Sequence, residues 1–287
     1  MKTLLPYALF CALSIVSNAK GDEIITSLPY TITQSGTYRL QGTLTLEGNS
    51  ESAIKINADD VRLDLSGHSV RSGAGVSGTA IGILAENRKR VTVENGAIVG
   101  FSFGVSLDSY DDTAGPIGLP PSALGGFYRV KGLRVEGASQ AGIKVNGYSA
   151  EIIENNLARC GQLMAAGKGI VAQGAGIVVK NNHLLSCGKP GENGGAALSV
   201  EFADGAAVFG NSLSGFRIDN ASGPIPSQTG ISVLGSPSVT IKDNTVARFR
   251  VGILAVNSSG VQTSNVFSNV SNSVIGPLKR GFTFHSR

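Results

Sequence analysis

Short runs of alternating apolar and polar residues recur along most of this chain. Val91-Thr92-Val93-Glu94-Asn95, Ile177-Val178-Val179-Lys180-Asn181 and Val239-Thr240-Ile241-Lys242-Asp243 share one pattern. A period of two predicts a strand with one buried face, and each run stops at a polar turn residue. Following that turn residue gives Gly67, Asn95, Gly132, Asn155, Asn181, Asn211, Asp243 and Asn265. All are Gly, Asn or Asp, which enter the left-handed backbone region at least cost. The column therefore predicts one tight corner, repeated in every structural repeat.

Other positions fall into register around this corner. An apolar residue follows it within a few positions, as at Ile98, Leu184, Leu213 and Val246, and Phe101, Cys187, Phe216 and Phe249 stand three further on. A new strand then opens on a Gly-Ile type pair: Gly82-Ile83, Gly104-Val105, Gly142-Ile143, Gly169-Ile170, Gly230-Ile231 and Gly252-Ile253. Corner-to-corner spacing runs from 22 to 37 residues, so a bare coil needs 22 and the others carry insertions. Three short strands per coil, each turning one apolar column inward, predict an all-β solenoid of about eight coils with a single continuous core. Beyond Pro6, Pro116, Pro120, Pro121, Pro190, Pro224, Pro226 and Pro237 fall between the predicted strands, where no ladder donor is lost.

Composition agrees with this architecture. The 287 residues include 39 Gly and no Trp, and 15% are charged, which argues against a coiled coil or helical bundle, while 41% hydrophobic residues argue against disorder. A net charge of +4, spread along the chain, makes nucleic acid a poor partner. Residues 1–19 read as a secretory signal: Lys2, an apolar stretch over Leu4–Val16, then Ser17-Asn18-Ala19 as a small-residue cleavage site. That stretch is too short to span a bilayer comfortably, and no later run is long enough, so no membrane span is expected. The expected location is the periplasm or the medium. Cleavage removes Cys11 and leaves Cys160 and Cys187, which on adjacent coils read as two buried, stacked thiols in preference to a disulfide. The expected organisation is residues 20–52 as an N-terminal lead-in and cap, 53–270 as the solenoid, and 271–287 as a C-terminal tail or cap.

The repeated Gly-Ile-x-Val and Val-x-Ile-x-Asn elements resemble the pectin-lyase-like superfamily, over roughly Ala53–Val270. The segments Tyr30–Tyr38 and Val61–His68 are similar to the N-terminal coils of its exported bacterial members. The resemblance implies a single-stranded, right-handed parallel β-helix, and a superfamily of lyases, hydrolases and epimerases acting on acidic polysaccharides beside members without known activity. The motifs of particular enzymes are missing. Where a polygalacturonase-like chain would carry Asp-Asp and His-Gly, the residues are Phe103-Gly104, Ala141-Gly142, Lys168-Gly169 and Val251-Gly252. No Arg stands two before a Pro, as a pectate-lyase-like calcium site would require. His68 and His183 follow the corner as surface residues and His285 lies in the tail, so no metal or cofactor is assigned; calcium, which the resemblance would bring, has no motif behind it.

Candidate chemistry gathers on one sheet. If Ile83, Val105, Ile143, Ile170 and Leu198 point inward, then Glu86, Asp108, Asn146, Gln173 and Glu201, three positions later, point out, with Lys144 beside them. Glu86 and Asp108 would then be stacked carboxylates, an arrangement that favours a proton on one of them, with Lys144 one coil on. The largest insertion lies between Leu107 and Phe127 and carries Asp108, Tyr110, Asp111 and Asp112; two more lie near Cys187–Ala197 and Phe216–Gly230. Tyr110, Tyr128 and Tyr148 share the first corner, where they could stack on sugar rings. The expected catalytic residues are Glu86, Asp108 and Lys144; the expected substrate contacts are Tyr110, Asp111, Asp112, Asn146, Tyr148, Gln173 and Glu201. Three readings stand: an exported enzyme on acidic polysaccharide, with Lys144 as lyase base or Glu86 and Asp108 as a hydrolytic pair; a non-catalytic glycan-binding or envelope protein; and a structural solenoid with a protein partner. Nothing in the sequence sets an oligomeric state.

Overall fold

The structure is a computed structural model that describes residues 22–109, 126–163, 167–189, 195–216 and 228–281. The expected signal segment, Tyr110, Asp111, Asp112, His285 and most of the proline positions lie outside the described residues. The strands β1 (Glu23–Ile25) to β28 (Lys279–Arg280) make up all the regular structure within them, and every pairing between strands is parallel. They form two sheets, of 18 and 10 strands, wound as a β-helix. The narrow sheet takes one strand from each coil, in the order β2 (Tyr30–Ile32), β5 (Ser52–Ile56), β8 (Ile81–Glu86), β10 (Phe103–Asp108), β12 (Ala141–Asn146), β15 (Lys168–Gln173), β18 (Ala196–Glu201), β21 (Thr229–Leu234), β24 (Val251–Val256) and β27 (Asn272–Ile275).

Ten strands exceed the eight coils expected, because the solenoid is longer at both ends. β1, β2, β3 (Gly36–Leu40) and β4 (Leu44–Leu46) already pair in register with later coils, and β27 and β28 continue both sheets beyond residue 270. The first coil escapes the repeat pattern because its narrow-sheet strand, Tyr30–Ile32, is three residues long and lacks the Gly-Ile pair. It is tied down by the Tyr30 hydroxyl, which donates to Glu23 Oε1 at 2.5 Å, and by the edge-on contact of Tyr30 with Tyr38.

The core is three stacked columns. Val105, Ile143, Ile170, Leu198, Ile231 and Ile253 line the narrow sheet; Val130, Ile152, Val179, Val208 and Ile241 line one side of the wide sheet, and Val135, Leu157, Leu184, Leu213 and Val246 the other. All are at most 1% exposed. Each such side chain contributes roughly 1.5–3 kcal/mol by leaving water. The Gly of each Gly-Ile pair is explained by the same packing. A β-carbon on Gly142 would lie 2.5 Å from Leu157 Cδ2 and 2.9 Å from the Gly169 carbonyl oxygen, so the strand can bend onto the core only without one.

The corner column is corrected at three positions. Gly67, Asn95, Gly132, Asn181 and Asp243 have positive φ as expected, but Asn155, Asn211 and Asn265 do not; Glu154, Gly210 and Ser264, one residue earlier, take the left-handed conformation. The displaced asparagines belong to a second, inward column with Asn182 and Asn244. Each side-chain amide donates to the Oδ1 of the next, Asn155 to Asn182 to Asn211 to Asn244 to Asn265, at 2.9–3.0 Å. Each Oδ1 also accepts the backbone N–H of the preceding coil. Two adjacent polar columns, one for the turn and one for the ladder, look alike in sequence because Asn serves both.

Candidate functional site

The narrow sheet presents its outer face as rows of side chains one coil apart, about 4.8 Å. Strand register places Glu86, Asp108, Asn146, Gln173 and Glu201 in one such row, in that order. Their expected inward neighbours, Ile83, Val105, Ile143, Ile170 and Leu198, are all 0% exposed. Lys144 pairs in register with Ser106, two residues back along the strand, and reaches forward into the row.

Two ion-paired clusters result. Asp108 accepts from Lys144 Nζ at 3.1 Å and from Asn146 Nδ2 at 3.0 Å. Two coils past Asn146, the Glu201 carboxylate accepts from Lys168 Nζ, from Ser199 Oγ at 2.6 Å and from Gln173 Nε2 at 2.9 Å. Burial by itself would push the Glu201 carboxyl up, and is the largest single influence. The hydrogen bonds from Lys168, Ser199 and Gln173, with the charge of Lys168, outweigh it and hold the group below its usual range. Glu86, at the other end of the row, comes within 3.8 Å of Lys55.

Ion pairs also dress the wide sheet, so pairing alone does not mark a site. Arg129–Glu151 and Lys131–Glu154 stand 3.4 Å apart with side chains 36–54% exposed, ordinary solvated pairs of small energetic weight. Lys168 and Glu201 are 20% and 10% exposed. Glu94, 11% exposed and bound by Arg62, is a comparably recessed carboxylate on the wide sheet; the narrow sheet differs in lining its charged groups up in one register row with Asn146 and Gln173.

The structure redistributes the expected tyrosines. Tyr128 is 1% exposed and its hydroxyl donates to the Arg88 carbonyl, so it is a core residue; burial pushes its pKa well up. Tyr148 is half-buried at the same corner, with its pKa raised by burial. Lys168 and Ser199 went unnoticed among the sequence candidates. Lys168 stands just ahead of the Gly-Ile pair, at the start of its strand, and its Nζ reaches Glu201 on the next strand. Alternation would have placed Ser199 outward, on the same face as Glu201, but a single Ser carries little signal.

Cys160 and Cys187 are free and fully buried, two residues beyond the paired Ala158 and Leu185. Contact with Cys160 and burial together push the Cys187 thiol well above its usual range. Among the described residues no three His, Cys, Asp or Glu side chains converge as metal ligands, and no helix is long and apolar enough to cross a membrane.

A parallel β-helix whose narrow sheet carries a polar row defines the class of this protein. Residues 123–283, more than half of the chain, match the family described as right handed beta helix region, and the chain belongs to it, in keeping with the resemblance to the pectin-lyase-like superfamily. Several solved structures are similar to the chain. Tailspike protein 3 of bacteriophage CBA120 is 12% identical with a TM-score of 0.46, over 90% of this chain and 48% of that one. The catalytic domain of a GH87 alpha-1,3-glucanase in complex with nigerose is 11% identical with a TM-score of 0.41, over 91% and 60%. The A-module of the Azotobacter vinelandii mannuronan C-5 epimerase AlgE6 is 12% identical with a TM-score of 0.36, over 92% and 90%. The chain thus spans about half the length of the tailspike and three fifths of the glucanase domain. A search of curated proteins finds no match.

Proposed function

We propose that this chain is an exported protein that binds an extended polysaccharide along the narrow sheet. The observation that carries the reading is the row Glu86–Asp108–Asn146–Gln173–Glu201, one polar side chain per coil, with two lysine–carboxylate pairs set into it. A straight row of donors and acceptors repeating at about 4.8 Å suits a linear polymer rich in hydroxyls, whose units recur along one direction. Its three carboxylates are matched by Lys55, Lys144 and Lys168, all already paired, so the face carries no surplus positive charge for a polyanion. This favours a neutral or weakly charged glycan over the acidic one that the resemblance implies.

A hydrolytic reading has one specific support: Glu86 and Asp108 are register neighbours on adjacent strands, the closeness that retaining glycosidases need of their two carboxyls. Lys144 is a weaker base candidate, since its Nζ is already engaged by Asp108 at 3.1 Å. The test is retention of the purified protein in native gels containing dextran, laminarin or polygalacturonate, with reducing ends and unsaturated products assayed in parallel. Retention without new ends supports a binder. New reducing ends that fall by a factor of about 10² in Asp108→Asn support catalysis at this pair. No retention and no products on any gel would remove the polysaccharide reading.

A further inference from the structure

Beyond Glu201 the outer row changes character. The next two positions in register are Leu234 and Val256, the latter 42% exposed. At this junction stands Phe202, the residue directly after Glu201. It has a left-handed backbone, with φ of +50°, and is 67% exposed. A large aromatic side chain in that conformation is unusual and strained, and its exposure returns little burial to offset the strain.

The ring lies on one side against the next coil, and the backbone beneath it is fixed. A β-carbon on Gly235, Phe202's register neighbour on the next coil, would lie 2.9 Å from the ring's Cδ1 and Cε1, so the ring lies against Gly235 and needs that residue bare. The corner below is braced by hydrogen bonds: Phe202 N donates to Leu234 O, Ala203 N to Ser236 Oγ, and Ser236 N to Ser258 Oγ. Ser236 is 0% exposed, so the brace is internal. An exposed ring on a rigid corner, next to a carboxylate held by Lys168, Ser199 and Gln173, combines an apolar plate with a fixed acceptor.

We infer that Phe202 and Glu201 form a pyranose subsite, in which the ring stacks on the C–H face of one sugar unit while the carboxylate accepts hydrogen bonds from its hydroxyls. A pyranose has this mixed surface, with apolar ring faces and a polar rim. The inference rests on the polysaccharide reading above and gives it a fixed end: the glycan lies over the polar row and terminates or anchors at Phe202.

The test compares the parent with Phe202→Ala, Phe202→Tyr and Glu201→Gln in native gels containing dextran, laminarin or polygalacturonate. The expected result is retention of the parent on at least one gel, weakened about five- to tenfold by Phe202→Ala and by Glu201→Gln, and kept by Phe202→Tyr. Parent retention that Phe202→Ala leaves unchanged overturns the subsite while the polysaccharide reading stands. No parent retention on any gel overturns both. The chain has no Trp, so Phe202→Trp supplies a single fluorophore whose emission should shift on adding the retained polysaccharide. Phe127→Trp, at another corner where Phe127 is 61% exposed, should stay silent. The reverse pattern moves the binding surface away from Phe202 and overturns the assignment.

Discussion

Asn182 and Asn181 are neighbours with different tasks. Asn182 is 1% exposed; its amide donates to Ile152 O and Asn211 Oδ1, and its Oδ1 accepts the Asn155 N–H. Asn182→Ala strands those buried groups and should cost roughly 2–3 kcal/mol. Asn181 is exposed and supplies the left-handed turn, with φ of +54°, so Asn181→Ala should cost only about 1 kcal/mol. Urea melts of the two variants check the order, and equal losses would dissolve the distinction between turn and ladder. At the same scale, Glu201 couples stability to pH. Its folded carboxyl lies below the ordinary value of 4.5, so its contribution is complete above that value and is lost as pH falls through the folded pKa. Stability should therefore decline below about pH 4.5 with a shallower slope in Glu201→Gln than in the parent.

At the scale of the element, what a strand buries on one face decides what it can offer on the other. β12 and β15 turn Ile143 and Ile170 into the core, which fixes Asn146 and Gln173 outward and in line. This much was readable by counting from the Gly-Ile pairs. Lys168 was not, because it opens the strand that Gln173 closes and so lies outside the alternating row, reaching Glu201 only through its side chain. The cysteine pair belongs to this scale too. Cys160 and Cys187 sit on consecutive turns of one side, both 0% exposed, and the Sγ of Cys160 would lie 3.0 Å from a β-carbon on Gly142. Gly142→Ala should cost about 2–3 kcal/mol by overpacking this point. In the native protein neither thiol should react with a disulfide reagent over the time of a standard assay, and rapid native labelling would show that this side opens.

For the whole molecule, ten strands in the narrow sheet make nine steps of about 4.8 Å, so a rod about 43 Å long along the axis. Far-UV circular dichroism should show β-structure without a helical minimum, and small-angle scattering an elongated particle. The proposed export can be tested through the cysteines. Denatured without reductant, the protein purified from the periplasm or medium should show two titratable thiols; three would mean that Cys11, and the segment holding it, remains. Because contacts are almost all between neighbouring coils, a lesion such as Asn182→Ala should loosen the coils beside it before those at either end, a gradient that hydrogen exchange would resolve.

The solenoid, its inward columns and the face on which polar residues line up are all legible along the chain. Each of these follows from a local period that recurs every 22 to 37 residues, and repetition turns a weak signal into a strong one. Only the tertiary structure separated turn from ladder among the asparagines, because φ and hydrogen-bond partners decide between two roles that one residue type fills. Only it sank Tyr128 into the core and raised Phe202 into solvent, since both are single aromatics at corners where alternation stops. And only it joined Lys168, Ser199 and Gln173 around Glu201, because that cluster is made by two strands stacking on adjacent coils, through side-chain reach that no spacing along the chain records.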